Sequence, residues 1–282
     1  MKLFSRAALM AAVSAAAFTA PTFAQERQTV DVITVTAQKR EQGIQDVPVA
    51  VTAYTAELLQ NSGVRDIRDL AVIAPGLNVT STSSEYSTTA RIRGVGTVGD
   101  NPGLESSVGI VIDGVPRARN GVSFGDLGEI QRIEVLRGPQ GTLFGANTSA
   151  GIINIVTQGP EFEFGANVEA TYLTGGADGF RVAGSVTGPL AEDQAAFRLY
   201  AARGERDGFQ SVQTFTGPRT INEDNNQDFF TVRGQLLFNI GDRGELTIQG
   251  DYTTRDENCC GAPSIVSGPT AGAINFLQAG GR

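Results

Sequence analysis

From Glu161 onward the chain alternates apolar and polar residues with a period of two, which restricts it to sheet with one dry and one wet face. Phe162, Phe164, Ala166, Val168, Ala170 and Tyr172 interleave with Glu161, Glu163, Gly165, Asn167, Glu169 and Thr171. The phase recurs at Phe180, Val182, Gly184 and Val186, at Phe197, Leu199 and Ala201, at Phe230, Val232, Leu236 and Phe238, and at Leu246, Ile248 and Tyr252. Arg181, Thr231, Arg233, Gln235 and Gln249 stand on the opposite face. Side chains of a strand alternate between its two faces. About five such segments, each about ten residues long, fit the wall of a transmembrane β-barrel with a wet lumen. A soluble β-sandwich shares the alternation. Connection lengths favour the barrel: residues 188–193 and 241–244 are short, residues 210–227 long and polar. So few strands leave edges whose backbone groups lipid cannot satisfy. Residues 159–282 are therefore expected to be the start of a longer barrel.

The N-terminus carries an address. Lys2 and Arg6 precede an apolar run from Ala7 to Ala20, and Thr22-Phe23-Ala24 places small residues ahead of a cleavage point. Residues 1–24 read as a secretory signal. Past them no apolar run approaches the ~20 residues of a membrane helix.

Composition excludes several functions. A net charge of −8, from 30 acidic and 22 basic residues, argues against nucleic acid as a partner. With His 0, the chain lacks a histidine-based triad, the commonest zinc ligand and the usual haem ligand. No metal site and no cofactor are expected. Glu57, Glu129 and Glu134 read as scattered solvated or capping carboxylates, so no catalytic site and no enzyme are expected. Cys259 and Cys260 are adjacent. Their Cα atoms, ~3.8 Å apart, are closer than an unstrained disulfide allows. A partner further along, or two free thiols, fits better.

Residues 45–158 have the size of a compact α+β domain with a small mixed sheet and short helices. A strand is expected from Asp46, then a helix from Thr55 as N-cap to Gly63 at its C-terminal end. Val64 to Val72 carries apolar residues at 64, 67, 70 and 71, suiting a short amphipathic helix ended by Pro75-Gly76. Residues 77–79, 89–93 and 108–112 read as strands. Gly94-Val95-Gly96-Thr97-Val98-Gly99 is formally GxGxxG, but Asp100-Asn101-Pro102-Gly103 follows where a dinucleotide site needs a helix.

Residues 132–157, RIEVLRGPQGTLFGANTSAGIINIVT, combine a strand, a Gly-Pro turn, a small-residue segment and a β-branched strand. Composition alone fits a generic hairpin, but the string closely resembles the end of the plug domain of TonB-dependent outer-membrane receptors. DVITVT at 31–36, IQDVPVAVTAYT at 44–55, RIRGVG at 91–96 and VGIVIDGVP at 108–116 resemble the same family, in the same order. The resemblance runs from about residue 31 to 158, with weaker agreement to about 256.

This resemblance implies an outer-membrane protein of a Gram-negative bacterium. It has a TonB-box segment within residues 25–44, a plug at 45–158 and the first barrel strands beyond. Asp31, Val32, Ile33, Thr34, Val35 and Thr36 would be the TonB box, able to add a strand to TonB. Taken alone, they also suit the first strand of the next domain. Arg93 and Arg137, in motifs matching the family's, would pair with glutamates on the barrel wall; exposed arginine is the alternative. Residues 81–87 and 95–105 are candidate ligand-facing loops through Ser83, Ser84, Glu85, Tyr86, Thr97, Asp100 and Asn101, or plain connectors. The implied function is uptake of a scarce nutrient, foremost a ferric siderophore, with an oligosaccharide or other organic substrate as the competitor and a signalling receptor as a minor reading. The implied partners are TonB with its inner-membrane energising complex, outer-membrane lipid and the small-molecule ligand.

Overall fold

The computed structural model describes residues 33–37, 39–80, 88–97, 104–117, 125–212, 221–241 and 244–258. The signal sequence, Asp31, Val32 and the two cysteines lie outside the described residues. β1 (Thr34–Val35) pairs antiparallel with β2 (Gln42–Gly43). A 3-10 turn (Ile44–Asp46) follows, and β3 (Val51–Thr55) leads into α1 (Ala56–Asn61). The strand expected from Asp46 thus starts at Val51, because the turn takes up Asp46 and Pro48 has no N–H to give a ladder. Thr55 caps α1 by accepting from the Leu58 N–H, and Gly63, at φ 70°, follows its end.

α2 (Ile67–Ile73) begins three residues later than the apolar spacing from Val64 suggests. Asp66 is the reason. Its carboxylate accepts from the backbone N–H of Arg68 (2.6 Å) and Asp69 (3.0 Å), while the Asp69 carboxylate accepts from the Asp66 N–H (3.1 Å). This capping box fixes the start of the helix.

β4 (Leu77–Thr80) pairs with β5 (Thr89–Ile92). β6 (Val108–Ile112), β7 (Val115–Pro116), β8 (Ile130–Arg137) and β9 (Gly151–Thr157) complete a five-stranded sheet in the order β3-β8-β9-β6-β7. β6 runs parallel to β9 and the other pairs are antiparallel, the mixed sheet expected from sequence. A single helical turn, α3 (Gly141–Phe144), interrupts the small-residue segment before β9. Gly151, at φ 151°, lies where an added Cβ would run into the Leu136 carbonyl oxygen, which explains the glycine.

Both faces of this sheet are covered. Ile133, Val135, Ile153 and Ile155 pack with Leu59 of α1 and Ile67 and Leu70 of α2. On the other face Leu136, Ile152 and Val111 pack with Val35, Ala37 and Val47 of the N-terminal segment. Each such Val, Leu or Ile contributes about 1.5–3 kcal/mol. The segment around β1 is therefore a cover on the sheet as well as a tail.

The second layer is an antiparallel meander of β10 (Gly165–Leu173), β11 (Gly179–Ala191), β12 (Ala195–Arg206), β15 (Gln227–Ile240) and β16 (Gly244–Arg255). The long connection after β12 contains a separate hairpin, β13 (Gln210–Val212) with β14 (Ile221–Asp224). Residues 188–191, expected in a turn, extend β11, and the turn falls at 192–194 with Asp193 at φ 55°. Among the described residues no helix is long and apolar enough to cross a membrane.

Exposure along the meander is inverted relative to a water-soluble sheet. Val168 is 78% and Tyr172 71% exposed on the outer face, while Ala183, Thr187, Tyr200, Thr231 and Gln235 are buried on the inner one. A soluble sandwich would bury the first set. An apolar outside with a polar inside is the wall of a membrane barrel. In the complete receptor Val168→Arg, on the outer face, should lower folding stability in bilayers by about 2–4 kcal/mol. Thr247→Arg, on the inner face of β16, should cost far less; equilibrium refolding into lipid vesicles measures both.

Candidate functional site

The inner face of the meander meets the first domain along a seam of charged side chains. Asp126, Leu127 and Glu129 lie in the loop just before β8. Arg181 of β11 donates through Nε to Asp126 Oδ2 (2.6 Å) and through Nη1 to Glu169 Oε2 (3.1 Å). Tyr200 donates its hydroxyl to Asp126 Oδ1 (2.6 Å) and accepts from Arg181 Nη2 (2.9 Å). Arg198 pairs with Glu129, its Nε 3.0 Å from Oε2, and Asn167 donates to Glu129 Oε1 (3.1 Å). Arg233 donates to the Leu127 carbonyl (2.9 Å), and Arg65 pairs with Glu169. Near the far edge Arg117 meets Asp251 at 2.8 Å. Gly128, at φ 77°, lets this loop lie on the Tyr200 ring, where a Cβ would come within 3.2 Å.

Glu129, read from sequence as a solvated or capping carboxylate, is instead a seam residue. Burial pushes its carboxyl up, but hydrogen bonds from Arg198, Asn167 and Ser185 and the Arg198 charge outweigh that and hold it below its ordinary value. Glu134, read the same way, is fully buried in mid-β8. The contacts that cover them, Arg198 on Glu129 and Thr36 on Glu134, lie 69 and 98 residues away along the chain.

The residues singled out from sequence fall in several places. Ile33 and Thr34 are exposed, Val35 is buried, and Thr36 is half-buried against β8. Arg93 is exposed in a tight turn, φ 55°, between the bridged pair Ile92 and Val95. Arg137 is half-buried at the end of β8. The described ion pairs between the layers are made by other residues and in both polarities: Arg65 and Arg117 of the first domain meet wall acids, while Asp126 and Glu129 of the first domain meet wall arginines. Thr97 donates to the Glu105 carbonyl (2.8 Å) and bonds the Ser107 hydroxyl (2.9 Å), tying together the two ends of its loop. Ser83, Ser84, Glu85, Tyr86, Asp100 and Asn101 lie outside the described residues. Among the described residues no group of three or more His, Cys, Asp or Glu is placed to hold a metal ion.

Cavities open at both ends of the wall. One of about 580 Å³ is lined by Arg65, Asp66 and Arg68 of the first domain and by Phe180, Arg206, Phe229 and Arg255 at the strand ends beside the long β12–β15 connection. Another of about 690 Å³ lies toward the short β15–β16 turn, between Thr36, Arg132 and Asn154 on one side and Gln235, Leu237 and Glu245 on the other. Thr36 and the long connection are thus at opposite ends of the wall.

An α+β domain seated by ion pairs on a lipid-facing β-wall defines a plugged outer-membrane barrel. A family model described as the TonB-dependent receptor plug domain matches residues 43–152. The chain is 32% identical over 178 residues to the pesticin receptor of Yersinia enterocolitica, an alignment covering 61% of this chain and 25% of that protein. It is 30% identical over 269 residues to the iron-regulated outer membrane virulence protein of Vibrio cholerae, covering 89% of this chain and 38% of that one. The ferric yersiniabactin uptake receptor of Yersinia pestis superposes with a TM-score of 0.63 at 26% identity, over 73% of this chain and 31% of that structure. The family model and these relatives support a TonB-dependent receptor fragment, a plug with part of the barrel wall, and the chain spans only 25% and 38% of the two relatives' length. These relatives are receptors, not enzymes.

Two outcomes follow from the seam. Asp126 is 2% and Arg181 11% exposed in their side chains, so Arg181→Met strands a buried carboxylate and should destabilise the complete receptor by about 3–5 kcal/mol. Adding Asp126→Asn should recover part of that loss in a thermal or denaturant double-mutant cycle. Glu129, with its folded value lowered, stabilises fully above its ordinary value of about 4.3 and loses this as pH falls through the lower folded value. Melting temperatures measured between about pH 6 and 3 should fall less steeply for Glu129→Gln than for the native receptor.

Proposed function

We propose that this chain is the plug-bearing part of a receptor that carries a ferric siderophore across the outer membrane, driven from the periplasm by TonB and its inner-membrane energising complex. The observation that carries the reading is the separation of the two ends. Thr36, at the end of the box segment, lines the cavity near the short turn, and the aromatic and arginine-lined cavity opens beside the long connection. A ligand taken up at one end and a tether pulled at the other give transport its direction. The second cavity is within the usual volume of small-molecule sites, roughly 300–1,000 Å³. Two relatives carry iron in their names, as iron-regulated and as a ferric yersiniabactin uptake receptor, which supports a ferric chelate over an oligosaccharide.

On this reading residues 31–36 are the TonB box. β1 is paired only with β2 among the described residues, leaving its other edge for strand addition. Residues 81–87 and 95–105 complete the ligand face, and Arg93 and Arg137 meet carboxylates on further barrel strands. The domain limits are 24, 44 and 158, with outer-membrane lipid around the wall.

Ile33→Pro removes a backbone donor from the segment and bends it. In the complete receptor it should abolish energised uptake of the ferric siderophore while surface binding stays at the native level. Radiolabelled iron uptake and cold binding, run side by side, measure the two. Normal uptake with proline at 33 would remove the box assignment. Tighter binding of an oligosaccharide than of any ferric chelate would replace the substrate.

A further inference from the structure

We propose that Glu134 is a release latch, which holds the box segment down on the plug sheet and sets how readily TonB captures it. This rests on the reading of residues 31–36 as the TonB box.

Glu134 is wholly buried at the centre of β8, between Ala53 of β3 and Asn154 of β9. Its Oε1 accepts from the Thr36 backbone N–H (2.7 Å), the Thr36 hydroxyl (3.1 Å) and Arg132 Nε (2.8 Å). Its Oε2 accepts from Asn154 Nδ2 (3.1 Å). The Thr36 hydroxyl in turn accepts from Arg132 Nη2 and Asn154 Nδ2, each at 3.2 Å. Among the described residues, the hydrogen bonds between the box segment and the sheet all converge on Thr36. The β1–β2 ladder is internal to the N-terminal segment and can move with it.

A purely structural cover would not need this group. Val35 and Ala37, on either side of Thr36, already seat in an apolar cluster with Leu136 and Ile152. A buried ion pair is a poor source of stability compared with apolar packing. Its advantage lies in opening. When Thr36 lifts away, Glu134 keeps Arg132 and Asn154 and is reached by water, so no uncompensated charge remains behind. An apolar residue at 134 would hold the segment as well and resist wetting. The carboxylate gives two discrete states, seated and released, separated by bonds to one residue.

Glutamine at 134 cannot serve every donor. Its amide nitrogen must face either Asn154 Nδ2 or the Thr36 and Arg132 donors. In the complete ligand-free receptor, Glu134→Gln should speed hydrogen exchange at the Thr36 amide by roughly tenfold or more, with the Ile133 and Ile153 amides as protected as in the native protein. The affinity for the TonB periplasmic domain should tighten by a similar factor, because the seated state competes with capture. Thr36→Val keeps the shape but removes the hydroxyl bonds. It should also speed exchange at residue 36, and it decides the matter if Glu134→Gln does not fold. Unchanged exchange at residue 36 with intact sheet protection would overturn the latch, as would loss of protection across β8 and β9 together. A native receptor that does not bind TonB at all would overturn the transport reading, while the exchange result would still stand on its own.

Discussion

A wall that presents Val168, Tyr172 and Ile248 to lipid must turn its polar side chains inward, where Arg181, Arg198 and Arg233 are shielded from water and need partners. Residues 126–129, just before β8, meet that need. Asp126 and Glu129 take two of the guanidinium groups, and the Leu127 carbonyl takes the third. The loop runs directly into β8, the strand that pairs with both β3 and β9. Seating the loop therefore places the whole sheet. Buried pairs of this kind contribute registry more surely than stability.

The same strand faces the other way in its middle. Ile133 and Val135 point into the core beneath the helices, while Glu134 and Leu136 point toward the N-terminal cover. β8 and the residue before it thus connect three things: the wall through Glu129, the hydrophobic core through Ile133, and the N-terminal segment through Glu134. A displacement applied at Thr36 acts on the strand that is also registered against the barrel. Under the proposed transport reading, coupling needs no further element, because the three contacts share one ladder.

Local signals were legible in the sequence and crossed contacts were not. The period-two alternation, the turn at Gly138-Pro139 and the Thr55 cap depend on neighbours in the chain, and all three stand in the structure. The late start of α2 was readable too, since Asp66 and Asp69 spell the capping box; apolar spacing from Val64 hid it. The seam is different. Arg181 and Asp126 are 55 residues apart, and Arg198 and Glu129 are 69 apart. Family resemblance pointed to Arg93 and Arg137 on the plug, whereas the described pairs use Arg65 and Arg117 there and, with the opposite polarity, Asp126 and Glu129. The available hint was unpaired arginine on the wet face at 181 and 233. Glu134 was misread because Ile-Glu-Val-Leu looks half-exposed, and only the distant cover at Thr36 makes it buried.

Under the proposed transport reading, a polar seam also fits a plug that has to move. Between the two layers lies a cavity of about 350 Å³ bordered by Arg65, Glu129, Glu169, Arg181 and Arg198. Hydrogen bonds along such a surface can be exchanged singly, for each other or for water, as the layers shift. An apolar seam of equal area would expose its surface to water in one step, at about 25 cal/mol per Å². Arg181 already meets both Asp126 and Glu169, and Glu169 meets both Arg181 and Arg65, so these charges have a second partner of opposite sign within reach. Under the proposed transport cycle, the cover over β8 is the dry, cooperative contact and the seam the wet, graded one. Pulling at the tether then meets its sharpest resistance at Thr36 and Val35, before the ion pairs with the wall begin to exchange.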